Sequence, residues 1–378
     1  MNPDGPASSA PYSAPCGRFT PAYTILREAI AARAFPGCAF GVLADGHVLV
    51  EDALGRFTYE DDAPSVTHST AFDIASITKV FSTTAIAMLL HQQGRLDLEM
   101  PLGEILPTFV AGRDDAQRAR HITLRHLMAH NSGLPGYAEL FRIAATPEAL
   151  LRACLALPIE AEPGARAEYS DIGFMLLGKA IDILAGAPLD ALFAGMIAEP
   201  LQLHSARFLP PPSERPLIPP TEEDTTLRHR RIQGEVQDEH AWLMGGVAGH
   251  AGLFSNVPDL LHFAAEILRS ASGSTGGQPA LFAPNTIATF ARRQSPAGSS
   301  RALGWDTPSP DSSAGSQFSA RSIGHLGYSG CSLWIDLDAE IAVALLSNRT
   351  WPNRKCQLIR KVRPAFHDAI RTALAFGY

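Results

Sequence analysis

The chain has 378 residues, of which 46% are hydrophobic and 18% are charged. Such a composition can bury a large core, which excludes global disorder, and the length predicts one large domain or two intertwined ones. The net charge is −7, from 31 basic and 38 acidic residues. No basic stripe stands out, so we expect no nucleic-acid partner. The densest basic run, residues 228–231, lies beside the acidic residues 222–224 and is interpreted as a solvated loop.

No apolar stretch reaches the roughly 20 residues that cross a bilayer, so no membrane span is expected. Residues 1–17 are rich in Pro, Ser and Ala and lack both a basic and a continuous apolar segment. We interpret them as a disordered lead-in rather than a signal peptide, which predicts a cytoplasmic protein. The five cysteines are scattered and form no C-x-x-C pair. This pattern favours free thiols over a disulfide framework or a structural zinc site.

The first predicted elements are a helix and a β-hairpin. Residues 19–34 carry apolar side chains at helical spacing, and two β-rich runs then flank Asp45-Gly46, a typical hairpin turn. From Ser76 onward the apolar residues again fall at helical spacing, and Gly94 ends the run.

The middle of the chain is predicted to be mostly helical, and strands return near the end. The expected helices cover residues 124–130, 147–156, 171–185 and 188–198, followed by a Pro-rich irregular segment at 209–220. The expected strands cover 332–337 and 341–347, joined by a tight turn, and a last helix covers about 357–375.

These elements predict an α/β (α+β) fold in which both ends of the chain build one antiparallel sheet flanked by helices, with a mostly helical subdomain. We assign residues 18–72 and 243–378 to the sheet domain. Residues 73–242 form the helical subdomain and include a Pro-rich loop at 209–232. The active site is expected where the two meet, because pockets favour such interfaces.

The run Ser76-Ile77-Thr78-Lys79 is an S-x-x-K sequence. On a helix, residues three apart share a face, so the Ser76 hydroxyl and the Lys79 amine can touch. Serine becomes a good nucleophile when a neighbour takes its proton, and a lysine does so if its pKa is lowered toward neutrality. The alternative, a solvated Lys79 on an amphipathic helix, stays open.

Two further segments carry chemistry. Tyr169 precedes Ser170 and Asp171 at the start of a predicted helix, and a phenol near an ammonium group can relay a proton. The alternative is that Ser170 or Asp171 only caps this helix while Tyr169 packs. His325 opens the run His-Leu-Gly-Tyr-Ser-Gly before a predicted strand, where glycines let backbone N–H groups approach a ligand. Taken alone, this histidine fits an ordinary surface residue, although it could donate to a substrate carboxylate or carbonyl.

These three segments, in this order, resemble the serine β-lactamase and penicillin-binding-protein superfamily. The similarity is greatest to its class C-like branch, which includes D-alanyl-D-alanine carboxypeptidases, D-aminopeptidases and esterases. It extends over about residues 20–376. Further similar stretches are His126–Pro135, Glu168–Gly178 and the Gly-rich Gly245–Ser255 with His250.

The resemblance implies a role for each residue that matches. Ser76 is the nucleophile that forms an acyl-enzyme, while Lys79 and Tyr169 share the acid/base work. The backbone N–H groups of Ser76 and Tyr328 form the oxyanion hole. The run His325-Leu326-Gly327 takes the place of K-T-G, so we expect both His325 and Gly327 in the substrate-binding wall. Asp171 of the second motif is expected in the same wall.

Two departures affect the expected activity. Asp171 stands where the second motif often has asparagine, and His325 replaces a lysine whose permanent charge helps to hold substrate carboxylates. Both weaken the case for an efficient β-lactamase and favour a peptidase, amidase or esterase.

A last segment, Gly234 to His240, is similar to a run G-x-V-H-D-E-N-A found in a subset linked to cell-wall recycling amidases. Here Gln237 and His240 depart from that pattern. A metal site at Asp238, Glu239 and His240 is the less favoured interpretation, and a solvated loop contact the more favoured one.

The sequence therefore predicts a serine hydrolase that acts through an acyl-enzyme on an amide bond, with a peptidoglycan-derived or D-amino-acid peptide as substrate. An esterase or a weak β-lactamase on the same scaffold stays open, as does a non-catalytic binding protein. The expected partner is a small molecule or peptide, without a cofactor or metal, and the oligomeric state is left open.

Overall fold

The fold is taken from a computed structural model that describes residues 17–273 and 279–375. The expected lead-in over residues 1–17 therefore lies outside the described residues, apart from Gly17. That residue begins a 3₁₀ turn, Gly17–Phe19.

The helices follow the sequence prediction closely through the first half of the chain. They are α1 (Thr20–Ala31), α2 (Ala85–Gln92), α3 (Leu102–Ile105), α4 (Ala116–Arg120), α5 (Leu124–Met128), α6 (Pro147–Ala156), α7 (Asp171–Ala185), α8 (Leu189–Phe193), α9 (Glu239–Leu243), α10 (Val257–Ser272), α11 (Pro284–Ala291) and α12 (Ile359–Ala375). Short 3₁₀ turns also occur, and π-helical segments run over Lys79–Thr84 and Ala194–Ala198.

The strands form one main sheet and two small ones. They are β1 (Gly37–Ala44), β2 (His47–Gly55), β3 (Phe72–Asp73), β4 (Arg207–Phe208), β5 (Glu222–Asp224), β6 (Arg230–Ile232), β7 (Leu253–Ser255), β8 (Ser322–Leu326), β9 (Ser332–Asp336) and β10 (Ile341–Ser347). The main sheet of the described residues has the order β2-β1-β10-β9-β8, and the small sheets are β3-β7-β4 and β5-β6.

The main sheet confirms that both ends of the chain build one antiparallel layer. Strand β1 pairs with β10 from Cys38 opposite Ser347 to Ala44 opposite Ile341. The β1–β2 hairpin turns at Asp45 and Gly46, both with positive φ (51° and 75°), as a two-residue turn with this twist requires.

Helices cover both faces of this sheet. Every residue of β1 is buried, which explains its continuous apolar run. On one face Phe40 packs edge-on against Tyr23 of α1 and Phe366 of α12, at ring-centroid distances of 5.1 and 5.5 Å. Each such ring stabilises the fold by about 1.5–3 kcal/mol. On the other face Gly41 lies against Val257 of α10, so closely that a Cβ would approach that side chain to 2.5 Å.

The largest apolar cluster continues from this second face into the helical middle of the chain. It joins Leu43 of the sheet to Phe81 in the π-helical segment and to Phe174 of α7. The division into a sheet domain and a helical subdomain stays a prediction.

Two interpretations from the sequence are corrected at the level of the fold. The basic run is only partly solvated, because Arg228 is buried in an ion pair with Asp224 at 2.9 Å and also donates to the carbonyls of Val236 and Gln237. Strand β8 was not expected, because its centre is Gly324. A Cβ at Gly324 would lie 2.4 Å from the Trp334 ring.

Two properties of the described residues bear on the earlier expectations. No single helix among them is long and apolar enough to cross a membrane, although α7 and the segment Leu189–Ala198, bent by 73°, reach that length and composition together. Four of the five cysteines lie in the described part of the chain, and all four are free thiols.

A buried histidine gives a testable dependence of stability on pH. His367 of α12 is fully buried, and burial lowers its pKa to about 4. Between pH 6.5 and 4 the unfolded chain binds a proton at this residue and the folded chain does not, so stability is lost as pH falls through this window. From pH 6.5 to 5 the loss is about 2 kcal/mol. The test measures the free energy of unfolding by urea at pH 6.5 and at pH 5. The loss between these two pH values should be about 2 kcal/mol smaller in His367→Gln than in wild type.

The control is the same substitution at the exposed His262 of α10. An identical pH dependence in wild type and His367→Gln would contradict the assignment of this loss to His367.

Candidate active site

The nucleophile candidate Ser76 lies in a sharp turn between β3 and the π-helical segment. The preceding residue, Ala75, is buried and has a positive φ of 48°, a conformation unusual for a residue with a Cβ. The turn is held by Asp73, whose Oδ1 accepts from the Ala75 amide at 2.9 Å, while Oδ2 accepts from the Gln237 amide at 2.8 Å. Backbone strain supported in this way is typical of functional sites.

The Lys79 amine is buried beneath this turn with three acceptors around it. Its Nζ donates to Ser76 Oγ at 3.0 Å, to Asp171 Oδ1 at 2.6 Å and to the His250 carbonyl at 3.2 Å. The side chain is 0% exposed, so the alternative of a solvated lysine is wrong. The prediction that Ser76 and Lys79 touch is confirmed.

The protonation state of Lys79 differs from the expectation. Burial lowers the pKa of this amine, but the Asp171 carboxylate and the Tyr169 side chain outweigh burial and leave the pKa above its ordinary value. We expected an amine with a lowered pKa. The correction follows from the ion pair with Asp171, which favours the ammonium form.

Tyr169 reaches the same point from the start of α7. Burial raises the pKa of the Tyr169 hydroxyl above its ordinary value, and the nearby charge of Lys79 offsets this only in part. Ser170 caps α7, accepting from the Gly173 amide at 3.0 Å. The interpretation of Ser170 as a cap is therefore confirmed, and a proton relay through Tyr169 stays a prediction.

The segment before α7 is held by the stretch His126–Pro135. His130 Nδ1 accepts from the Ser170 amide at 3.0 Å, and the His130 ring lies 4.7 Å from the Tyr169 ring between centroids. The Ser170 hydroxyl donates to the Pro135 carbonyl at 2.8 Å. This stretch therefore positions Tyr169.

The third segment closes the site from the end of edge strand β8. The backbone at Gly327 passes so close to the nucleophile turn that a Cβ would lie 2.4 Å from the Ile74 carbonyl oxygen. The Ser329 hydroxyl donates to the Asp73 carbonyl at 2.7 Å. Among the loop and cap hydrogen bonds of the described residues, none has the amide of Ser76 or Tyr328 as donor. An oxyanion hole formed by these two amides stays a prediction.

His325 differs from both expectations made for it. It is 3% exposed rather than a surface residue. Its Nδ1 lies 2.8 Å from the Leu326 carbonyl, so Nδ1 carries the proton and Nε2 is left as an acceptor. Burial and the charges of Lys79 and Arg301 hold the pKa of His325 well below its ordinary value. A neutral His325 therefore presents an acceptor to the site, not a donor.

One cavity of about 610 Å³ joins these groups and is rich in arginine. Its wall includes Ser76, Tyr169, Asp171, His325, Gly327, Tyr328, Arg301, Arg349, Arg354, Arg360 and Arg363. Every site residue predicted from the sequence except the buried Lys79 lines it.

The arginines and Asp73 were missed by sequence reasoning. The arginines supply the positive charge that His325 does not, but they come from separate parts of the chain and no local pattern marks them. Asp73 had a usable signal, because it ends a short strand directly before S-x-x-K.

The segment after Gly234 is also corrected. Glu239 and His240 are buried on α9 rather than solvated, and Asp238 caps that helix by accepting from the Ala241 amide at 2.8 Å. Asp238 lies against His250, with Oδ1 2.8 Å from the His250 Nε2.

The sequence model of the Beta-lactamase family matches residues 24–363. The chain belongs to this family. A protein of Salmonella agona (strain SL483) named "Putative D-alanyl-D-alanine carboxypeptidase" is 29% identical over 352 residues, covering 83% of this chain and 79% of that protein. Relatives in the Beta-lactamase family are hydrolases, as expected for the superfamily recognised from the sequence.

Solved structures of the same fold agree with this membership. EstCE1, described as a hydrolase with promiscuous acyltransferase activity, has a TM-score of 0.73 at 22% identity and covers 93% of this chain and 99% of its own. A penicillin-binding-protein homologue from Caulobacter crescentus has a TM-score of 0.73 at 17% identity, covering 94% of this chain and 97% of its own. These likenesses confirm the fold.

The ion pair between Lys79 and Asp171 gives a prediction for stability. Asp171→Asn keeps an oxygen acceptor but leaves the buried ammonium without its counter-charge, so the free energy of unfolding should fall by about 1–3 kcal/mol. Urea denaturation measures this loss.

The matched control is Asp182→Asn on the same helix. Asp182 pairs with Lys179 at 3.6 Å with both side chains partly exposed, and loss of such a pair costs under about 1 kcal/mol. Equal losses in the free energy of unfolding would show that the Lys79–Asp171 ion pair stabilises the protein no more than an exposed ion pair does.

Proposed function

We propose that this protein is a serine hydrolase that cleaves an amide bond in peptides ending in a D-amino acid, through an acyl-enzyme on Ser76. The observation that carries the proposal is the contact of the Lys79 amine with Ser76 Oγ at 3.0 Å, at the wall of a cavity that Tyr169 shares. A serine hydroxyl held against two proton-carrying groups is the arrangement that nucleophilic catalysis needs.

In the proposed reaction, Tyr169 moves the proton and Lys79 stabilises the resulting charge. At rest Tyr169 is a phenol, so the reactive form is the minor one in which it has lost its proton to solvent. In that form the Tyr169 phenolate, next to the Lys79 ammonium, takes the Ser76 proton while Oγ attacks the carbonyl carbon. Tyr169 then gives this proton to the leaving amine as the C–N bond breaks. A water molecule next loses a proton to Tyr169 and attacks the acyl-serine, and the proton returns to Ser76 Oγ as the acid leaves.

The developing oxyanion is stabilised by backbone groups. The amides of Ser76 and Tyr328 lie on two segments that the Asp73 side chain and backbone tie together. Donors positioned before the reaction are worth about 2.7–4 kcal/mol each to the transition state in known hydrolases.

The charge of the cavity supports a substrate with a carboxylate. Arg360 is exposed at the cavity wall, and Arg301 has its nearest carboxylate partner, Asp306, at 3.6 Å. A planar guanidinium recognises a carboxylate through paired hydrogen bonds. The Salmonella agona relative is named a carboxypeptidase, and a peptide with a free C-terminal carboxylate is the substrate class that this name describes.

An esterase on the same scaffold is the second candidate. EstCE1 is a hydrolase with acyltransferase activity and shares the fold. His325 also offers only an acceptor where a cation would hold a carboxylate. An ester substrate without a carboxylate does not need a cation at the position of His325.

The experiment combines active-site labelling with a substrate panel. A fluorescent phosphonate should label wild type and should fail to label Ser76→Ala. The control Ser69→Ala removes an exposed serine that the proposed reaction does not use, and it should be labelled like wild type. The panel contains an acetylated D-alanyl-D-alanine peptide, its C-terminal amide, p-nitrophenyl acetate and a chromogenic β-lactam. We expect cleavage of the free-acid peptide and a KM at least about tenfold higher for its amide.

Each failure has a distinct meaning. Labelling that persists in Ser76→Ala, or is absent from wild type, would overturn the serine mechanism. Labelling of Ser76 with cleavage of the ester alone would replace the peptidase by the esterase. Cleavage of the β-lactam alone would indicate a weak lactamase.

The role of Tyr169 is tested by Tyr169→Phe. Removal of the hydroxyl alone should lower kcat by on the order of 10²–10⁴, with KM little changed, because the loss falls on proton transfer. The control is Tyr137→Phe, a half-exposed tyrosine of the same cavity that the proposed reaction does not use. An unchanged kcat in Tyr169→Phe would make this residue merely structural.

A further inference from the structure

Behind the cavity wall, three metal-binding side chains converge from two segments. One ligand atom each of Asp238, His240 and His250 can be chosen so that all three lie within 4.8 Å of one another. Asp238 lines the cavity, and the two histidines are buried at 0% and 1% exposure. The cluster is therefore built into the protein rather than spread over its surface.

The histidine nitrogens in this cluster lack the partners that burial normally requires. Neither ring nitrogen of His240 has a partner at good hydrogen-bond geometry, and the polar group nearest in effect is the Ala138 backbone. His250 Nδ1 is also unpartnered. Leaving a buried polar atom without a partner costs about 1–3 kcal/mol, and a bound metal would remove this cost for one nitrogen of His240.

Aromatic packing explains why the His240 ring is buried at this place, but it does not explain why the ring nitrogens lack hydrogen-bond partners. The rings of Tyr137 and Phe141 lie edge-on to it at 5.5 and 5.3 Å between centroids. These contacts bury the ring and fix its plane, yet they supply no hydrogen bond. An apolar side chain would pack there without this cost.

The geometry points to a binding site for a divalent transition metal of the Zn²⁺ type, held by Asp238, His240 and His250. Two imidazole nitrogens and one carboxylate are a donor set that zinc prefers. Tetrahedral ligand atoms lie roughly 3.3 Å apart, so metal binding would draw these atoms closer than the 4.8 Å within which they now lie. Three protein ligands leave a fourth position for water or a substrate atom.

This site would lie next to the catalytic lysine. The carbonyl of His250 accepts from Lys79 Nζ at 3.2 Å, and Asp171, the partner of Lys79, also acts electrostatically on His240. A metal held by His250 would thus fix the backbone that positions Lys79. The proposal does not depend on which substrate the serine attacks.

The test measures metal binding directly on the full chain without a polyhistidine tag. Protein treated with chelator and dialysed is titrated with Co²⁺, followed by visible absorption, and with Zn²⁺ in competition with a chromophoric chelator. We expect one equivalent bound with the spectrum of tetrahedral Co²⁺. His240→Gln and His250→Gln should each weaken binding by at least about 100-fold.

The control is His262→Gln, whose exposed histidine should leave metal affinity unchanged. Zinc-edge X-ray absorption of the wild-type complex should show two imidazole ligands, a result that needs no variant to fold. Absence of bound metal in wild type, a spectrum without imidazole ligands, or wild-type affinity in both glutamine variants would overturn the proposal.

Discussion

The site depends on the hydrogen bonds and the ion pair that the buried Lys79 ammonium makes. Its three acceptors belong to the nucleophile turn, the start of α7 and the Gly-rich segment at 250. These segments are distant in sequence, so one charged group holds three parts of the chain in register. Moving an ammonium group from water into the interior is costly, and only this full set of acceptors makes it tolerable.

The same contacts decide the chemistry that is available. An ammonium that already donates to Ser76 cannot take the serine proton, so the proposed reaction gives the acid/base work to Tyr169. The carboxylate of Asp171 strengthens this division, since it compensates the charge of Lys79 where an asparagine would not. In the proposed reaction, this one difference from the common motif therefore decides which group carries the mobile proton.

Much of this architecture could be predicted from local patterns. The hairpin at Asp45-Gly46, the helices from Pro147 and Asp171 and the contact of Ser76 with Lys79 follow from turn chemistry, periodicity and helical spacing. Strand β8 could not be predicted in this way, because a glycine at its centre is unfavourable in a strand. Only the tertiary structure shows that Gly324 leaves room for the Trp334 ring. The cytoplasmic location stays a prediction.

The electrostatic state of the site was beyond local reasoning. Asp171 is 92 residues from Lys79 in sequence, and no pattern around either shows that they form an ion pair. The arginines of the cavity and the burial of His325 are likewise results of tertiary packing. Motifs therefore predicted which residues meet, and packing decided their charges.

The pairing of β1 with β10 bears on how the chain matures during synthesis. The hairpin of β1 and β2 emerges from the ribosome early, but its neighbour in the sheet is made almost 300 residues later in the chain. Until then the inner edge of β1 carries unpaired backbone groups and an apolar face, which is a hazard for association with other chains. Completion of the sheet is thus a late, long-range event, and pairings of this kind fold slowly in general.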